Sequence, residues 1–146
     1  MQLEIQIDEN CSEPKVIIVT NQITDEVDDL IKKISQKQTG MLAGFKDDKT
    51  YLLKITDIYR IFSSNGGIFA VAEGGEFKLR ARLYEIETNY AGKMLIRISN
   101  SEIINLKKAE NFDLNFKGTI CVKLKNGDVS YVSRRYVSKI KKLLGI

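Results

Sequence analysis

From Met41 to Val132 apolar and polar residues alternate over short runs, and turn signals interrupt them at fairly even intervals. Alternation with period two means that each run offers one face to a core, which helices of this length cannot do. The interruptions are Asp47-Asp48-Lys49, Ser63-Ser64-Asn65-Gly66-Gly67, Gly74-Gly75, Phe116-Lys117-Gly118 and Asn126-Gly127. Asn126-Gly127 is the strongest, because both residues tolerate the positive φ of a tight hairpin. The spacing predicts strands near 50–56, 58–62, 68–73, 76–81, 94–98, 102–105, 109–114, 119–125 and 129–132. Leu83-Tyr84-Glu85-Ile86-Glu87 reads as one short internal helix. The chain closes on a second helix, with Ser133 as N-cap, Val137, Ile140 and Leu144 at helical spacing, and Gly145 as stop. The fold class is therefore mainly β, α+β overall.

Ahead of this domain stands a small head, residues 1–40, with the main domain assigned to 41–146. Leu3, Ile5 and Ile7 alternate with polar residues, and Val16-Ile17-Ile18-Val19 is a β-branched run just after the chain's one proline, Pro14. Two strands are expected there. Thr24 looks like an N-cap, and Val27, Leu30, Ile31 and Ile34 recur at helical spacing up to about Gln38 to Gly40. A β-β-α unit of this size buries little alone. Its stripe must pack on its own two strands, on the following domain, where it would cap an exposed sheet edge, or on a partner, a second copy included.

Charge divides along the chain. Residues 1–40 carry four lysines and eight acids, 41–91 are balanced, and 92–146 hold twelve basic and four acidic residues, so the last third has a net charge of +8. A one-sided basic surface attracts polyanions, nucleic acid foremost. No apolar run reaches the roughly 20 residues that cross a bilayer, and the first residues lack a basic signal-type region, so a cytoplasmic location is expected. Cys11 and Cys121 have no metal or disulfide spacing.

Catalysis has little to work with. The chain contains no histidine, which removes the commonest general base and metal ligand. P-loop and GxGxxG patterns are absent, and the pairs Asp28-Asp29 and Asp47-Asp48 fall in a helical pattern and a turn. No catalytic residue, cofactor or metal is expected. One placement does point to a ligand: Arg134 and Arg135 stand at the start of the last helix, where the macrodipole is already positive. Helix-start N–H groups, the Ser133 hydroxyl and two guanidiniums would together hold a phosphate or reach a guanine edge.

Three ordered stretches carry a resemblance. Ile96-Arg97-Ile98-Ser99-Asn100-Ser101-Glu102-Ile103-Ile104-Asn105-Leu106, Val122-Lys123-Leu124-Lys125-Asn126-Gly127-Asp128 and Val132-Ser133-Arg134-Arg135-Tyr136-Val137 together resemble the signature of LytTR-type DNA-binding domains over roughly 45–146. The resemblance implies a bacterial transcription regulator with an elongated, mainly antiparallel fold. Such domains insert loops rather than a recognition helix into successive major grooves. Two protomers on repeated half-sites, a homodimer on promoter direct repeats, are implied as well. Carried over by position, the base-reading asparagine falls on Asn100 and the base-reading arginine on Arg135, with Ser133 and Tyr131 matching positions that help to hold the backbone.

This sequence departs from that pattern where family members often have histidine, in the loop Ser63–Ile68 and at Ser99. The first loop then either reads bases through Asn65 or contributes only backbone contacts. A phosphoacceptor receiver needs more than about one hundred residues, which the head cannot supply. The chain instead resembles small stand-alone LytTR regulators, which implies control by an inhibitory membrane-protein partner. The alternative function is a protein-interaction module or antagonist of another regulator with weak DNA binding. An RNA-binding β domain fits less well, since no exposed aromatic pairs stand out among Tyr51, Tyr59, Phe62, Phe69 and Phe77.

Overall fold

Among the described residues each of the nine strands expected within 41–146 is present, and a tenth precedes them. The computed structural model describes residues 1–90, 94–114 and 119–146. Helix α1 (Asp25–Thr39) leads into β1 (Met41–Lys46), β2 (Lys49–Lys54), β3 (Ile58–Ser64), β4 (Gly67–Ala72) and β5 (Gly75–Leu79). Next come α2 (Leu83–Asn89), β6 (Leu95–Ser99), β7 (Glu102–Asn105), β8 (Ala109–Asp113), β9 (Ile120–Leu124), β10 (Val129–Val132) and α3 (Arg134–Leu144). The turn expected at Phe116-Lys117-Gly118 lies outside the described residues.

All pairings are antiparallel, in a seven-stranded sheet ordered β2-β1-β5-β4-β3-β7-β6 and a three-stranded sheet ordered β10-β9-β8. Two cores flank the β6–β7 pair. On one side Leu95 and Ile103 join Ile58, Ile61, Phe77 and Leu79, with Leu83 and Ile86 of α2 and Tyr90 just after it. On the other, Ile96, Ile98 and Ile104 meet Ile120, Val122, Leu124 and Val132 of the second sheet and Ile140 of α3. Strands buried on both faces read as near-continuous apolar runs, which is why Ile103-Ile104 and Leu95-Ile96 are adjacent apolar pairs.

Three local expectations are corrected. Strand β1 escapes the alternation because Gly44 interrupts it, and the glycine is there for space. A Cβ at position 44 would fall 2.7 Å from Leu53 Cδ1 and 2.9 Å from Phe77 Cβ, so the crossing of β2, β1 and β5 admits no side chain. The β-β-α head forms its helix, with Thr24 Oγ1 accepting from Val27 N at 3.3 Å and Gly40 closing it in the left-handed region, but not its strands. Residues 1–23 carry no strand, and Leu3, Ile5 and Ile7 are each at least 80% exposed. An isolated two-stranded hairpin is marginal without a third strand or a helix to bury its face. At Asn126-Gly127 only the glycine is left-handed, with φ 93°. Gly127 N donates to Leu124 O at 2.9 Å, Leu124 N donates to Asp128 O at 2.8 Å, and Asn126 Oδ1 accepts from Asp128 N at 3.0 Å. The connection is thus a three-residue loop ending in a left-handed glycine rather than a two-residue hairpin.

Candidate nucleic-acid interface

The β6–β7 turn is built by the strand residue that does not belong in an apolar alternation. Arg97 follows Ile96 and precedes Ile98, yet its face of β6 is the one that carries buried Leu95. Its side chain is only 13% exposed, and the guanidinium spends its donors on three partners. Nε donates to Ser99 O at 2.7 Å, Nη2 to Asn100 O at 2.6 Å, and Nη1 to Glu87 Oε2 of α2 at 2.9 Å. A register shift between Arg97 and Ser99 adds a bulge just before the turn, a device that re-aims the residues after it. Asn100 is thereby held at the tip by its backbone, which leaves its amide to other work.

Three further contacts gather neighbouring segments around that tip. Ser63 N, at the end of β3, donates to Ser101 O at 2.9 Å, which brings the β3–β4 hairpin alongside. Asn65 occupies that hairpin's turn with φ 49° and is exposed. Ser133 N donates to Ile98 O at 2.9 Å, tying the start of α3 to β6, and Tyr136 Oη reaches Asn100 Oδ1 at 3.4 Å. Asn100 and the first turn of α3 therefore lie side by side although they are more than thirty positions apart in sequence.

The other expected site residues fall as follows. Arg134 and Arg135 are exposed at the start of α3, a helix with five cations and no acid. Ser133 holds the N-cap position in extended conformation, but its hydroxyl makes no capping bond; Tyr136 N donates to Ser133 O at 2.9 Å, which leaves the N–H groups of Arg134 and Arg135 as the donors at the start of α3. Ser99 spends its hydroxyl inside the turn, 3.3 Å from Ser101 Oγ and accepting from Ser101 N at 3.2 Å. Tyr131 is exposed on the outer face of β10, opposite buried Ser130 and Val132.

Sequence reasoning overlooked Arg97 and a second polar group behind the turn. Arg60 of β3 lies 3.6 Å from Glu102 Oε1 and 3.1 Å from Asp128 Oδ2, with its guanidinium carbon 4.5 Å from the Phe62 ring centroid. The cluster joins the larger sheet to the β9–β10 loop. Burial raises the Glu102 carboxyl above its ordinary value, opposed by the nearby Ser130 hydroxyl and the Arg60 charge. Glu102 Oε2 and Ser130 Oγ nonetheless both lack hydrogen-bond geometry to any described group. A carboxyl whose folded value is raised stabilises the fold in its neutral form, fully below the ordinary value and less as pH rises through the raised one. Glu102→Gln should therefore flatten the loss of urea stability with rising pH across that interval. A pH profile unchanged from wild type would refute the assignment. The signal for both arginines was available in principle, as a charged residue on the core-facing side of a strand requires a partner.

Comparison with known proteins follows the same outline. The family model described as LytTr DNA-binding domain matches residues 48–145. Proteins of Staphylococcus aureus named as uncharacterized HTH-type transcriptional regulators are 31% identical in strain NCTC 8325 and 32% in strain bovine RF122. In each case the similarity spans 147 aligned positions, 100% of this chain and 99% of the relative, so it includes the head. A solved LytTr DNA-binding domain from Bacillus cereus superposes with a TM-score of 0.70 at 21% identity, over 73% of this chain and 97% of that one. That likeness concerns the fold. Among the described residues no two helices follow each other in the chain, so the relatives' printed helix-turn-helix label has no counterpart in element order.

Proposed function

We propose, for a chain that belongs to the LytTR DNA-binding family, that it is a cytoplasmic, sequence-specific transcription regulator that binds promoter repeats through loop contacts in the major groove. The observation that carries this reading is the joining of the Asn100 turn to the start of α3, through the Ser133–Ile98 bond and the Tyr136–Asn100 contact. It sets an amide that matches the adenine edge beside a guanidinium that matches the guanine edge. In this reading Asn100 and Arg135 read bases. Arg134, the Ser133 hydroxyl and the free N–H groups of α3 take a phosphate. Tyr131 adds a backbone contact, and Asn65 reaches the groove from the neighbouring hairpin. Ser99 shapes the turn from within.

Exposed Lys139, Lys141 and Lys142 continue the positive face along α3 and neutralise phosphates without selecting sequence. No helix among the described residues is long and apolar enough to cross a membrane, so a membrane-protein inhibitor would act as a separate chain on a surface left clear of DNA, for which the head is the candidate.

A gel-shift titration of salt on promoter DNA tests the proposal. Affinity should fall steeply and linearly on logarithmic axes as salt rises. Arg135→Ala should cost about 1–3 kcal/mol on specific sites and relax the preference at one base position, whereas Lys139→Ala should weaken all sequences alike. Binding that is absent, or insensitive to salt, defeats the proposal.

A further inference from the structure

One face of the larger sheet carries aromatic rings where polar side chains are expected. Ile61, Ala70, Phe77 and Leu79 point into the first core, so their neighbours Phe62, Phe69 and Lys78 point out of the opposite face. The second core covers that face at β6 and β7. Beyond it, an antiparallel sheet with one solvated side should alternate to polar residues. Phe45, Phe62 and Phe69 stand there instead, half-buried and part of neither core. The register sets them in one row. Phe62 lies opposite Phe69, Phe69 opposite Lys78, and Lys78 opposite Phe45. No spacing in the sequence announces this row, because three separate strand pairings assemble it.

The row is a series of π faces with cations among them. The Phe62 and Phe69 rings stack with centroids 5.7 Å apart and planes at 29°, and Phe69 lies close over Gly67, where a Cβ would fall 3.0 Å from Phe69 Cε2. The Arg60 guanidinium carbon sits 4.5 Å from the Phe62 centroid, and that of Arg80 sits 4.2 Å from the Phe45 centroid. Arg60 is neutralised by Glu102 and Asp128. Exposed Lys78 and Arg80, in contrast, have no carboxylate partner among the described residues, and Glu76 is the one acid that β5 places beside them. Planar bases stack on phenyl rings and on guanidinium planes alike, and cations between the rings neutralise the strand that links the bases. An aliphatic patch would suit a protein surface, whereas rings interleaved with unpaired cations match unpaired bases on a phosphodiester chain. We propose that this face is a second nucleic-acid site, distinct from the Asn100 turn, that binds single-stranded nucleic acid. Bases stack on Phe62, Phe69 and the Phe45–Arg80 pair, and Lys78 and Arg80 meet the phosphates. Duplex DNA cannot use the site, because paired bases keep their faces inside the stack.

The inference does not rest on duplex reading, and its test needs no promoter. Fluorescence anisotropy of the full chain with labelled dT and rU oligomers of about 20 nucleotides should show binding to at least one of them, and the comparison separates a DNA strand from an RNA strand. An abasic deoxyribose-phosphate oligomer of the same length should compete about tenfold more weakly, since it offers charge without bases. Phe69→Leu and Phe45→Leu each remove a stacking face while keeping an apolar side chain, and each should weaken binding about fivefold or more. K78Q/R80Q changes exposed side chains alone, so the sheet stays folded, and it should weaken binding and make it less dependent on salt. Arg135→Ala should hold the oligomers at wild-type strength. Absence of binding to both oligomers would overturn the proposal and leave the face to a protein partner. An abasic oligomer that competes as well as dT, wild-type affinity in K78Q/R80Q, or loss of oligomer binding in Arg135→Ala would each overturn it too.

Discussion

Asn105→Ala is expected to lower the unfolding free energy by about 3 kcal/mol, the largest single-residue stability loss outside the apolar cores. The side chain is fully buried at the end of β7. Its Nδ2 donates to Ile58 O at 2.8 Å and Ile55 O at 3.2 Å, and its Oδ1 accepts from Lys107 N at 3.0 Å. Ile55 O and Lys107 N belong to the two short 3₁₀ turns, Ile55–Asp57 and Leu106–Lys108, and Ile58 O follows directly after the first of them. Ile55 O also accepts from Ile58 N, so alanine strands chiefly Ile58 O and Lys107 N. Each buried group without a partner costs about 1–3 kcal/mol. Asn105→Asp keeps the acceptor for Lys107 but turns a charge toward two carbonyls, so it should be no better than alanine. Urea denaturation checks this, with a lower midpoint and an unchanged slope. A loss below about 1 kcal/mol would mean that water replaces the amide, against the full burial observed.

That clasp has a functional geometry. It fastens β7 to the start of β3, and the opposite ends of the same two strands are joined by the Ser63–Ser101 bond. Antiparallel pairing carries the constraint along the strands, so the hairpin bearing Asn65 and the turn bearing Asn100 are spaced by a register fixed at the far end.

What the sequence could reveal follows from which forces act locally. Nine strands were legible because alternation and turn chemistry are written in neighbouring residues, and the arginine pair was legible because a helix start has a fixed polarity. The head strands failed for the complementary reason. The alternation of Leu3, Ile5 and Ile7 says that one face wants burial and nothing about whether a sheet is there to provide it. Gly44 interrupts the alternation of β1 as a packing requirement, visible only once Leu53 and Phe77 are placed against it. Asn100 was reached through resemblance and Arg135 through both resemblance and its place at a helix start, while the contacts that hold their segments together run between positions with no sequence spacing to announce them. Arg97 lay in plain view within the motif, but its role depends on Glu87 across a strand-helix connection.

Arg97→Met is expected to weaken specific DNA binding about tenfold, provided that Asn100 reads bases as proposed, although Arg97 itself touches no groove. The substitution preserves volume and removes the donors that fix Ser99 O and Asn100 O, along with the partner of Glu87 Oε2. Hydrogen bonds from a charged donor contribute about 1.5–3 kcal/mol each, enough to define one turn conformation among several. Arg97→Lys should recover only part of the loss, since an ammonium cannot reproduce the fork that spans two carbonyls and a carboxylate. Glu87→Gln should be milder still, because the amide oxygen accepts from Nη1 while both carbonyl contacts persist. The salt dependence of binding should stay at its wild-type slope in all three variants, as no phosphate contact is removed. Faster amide exchange at Ser101 should accompany the affinity loss in Arg97→Met and be small in Glu87→Gln. Wild-type affinity in Arg97→Met, or a loss that comes with a shallower salt slope, would show that the turn keeps its shape unaided or that Arg97 meets the DNA directly.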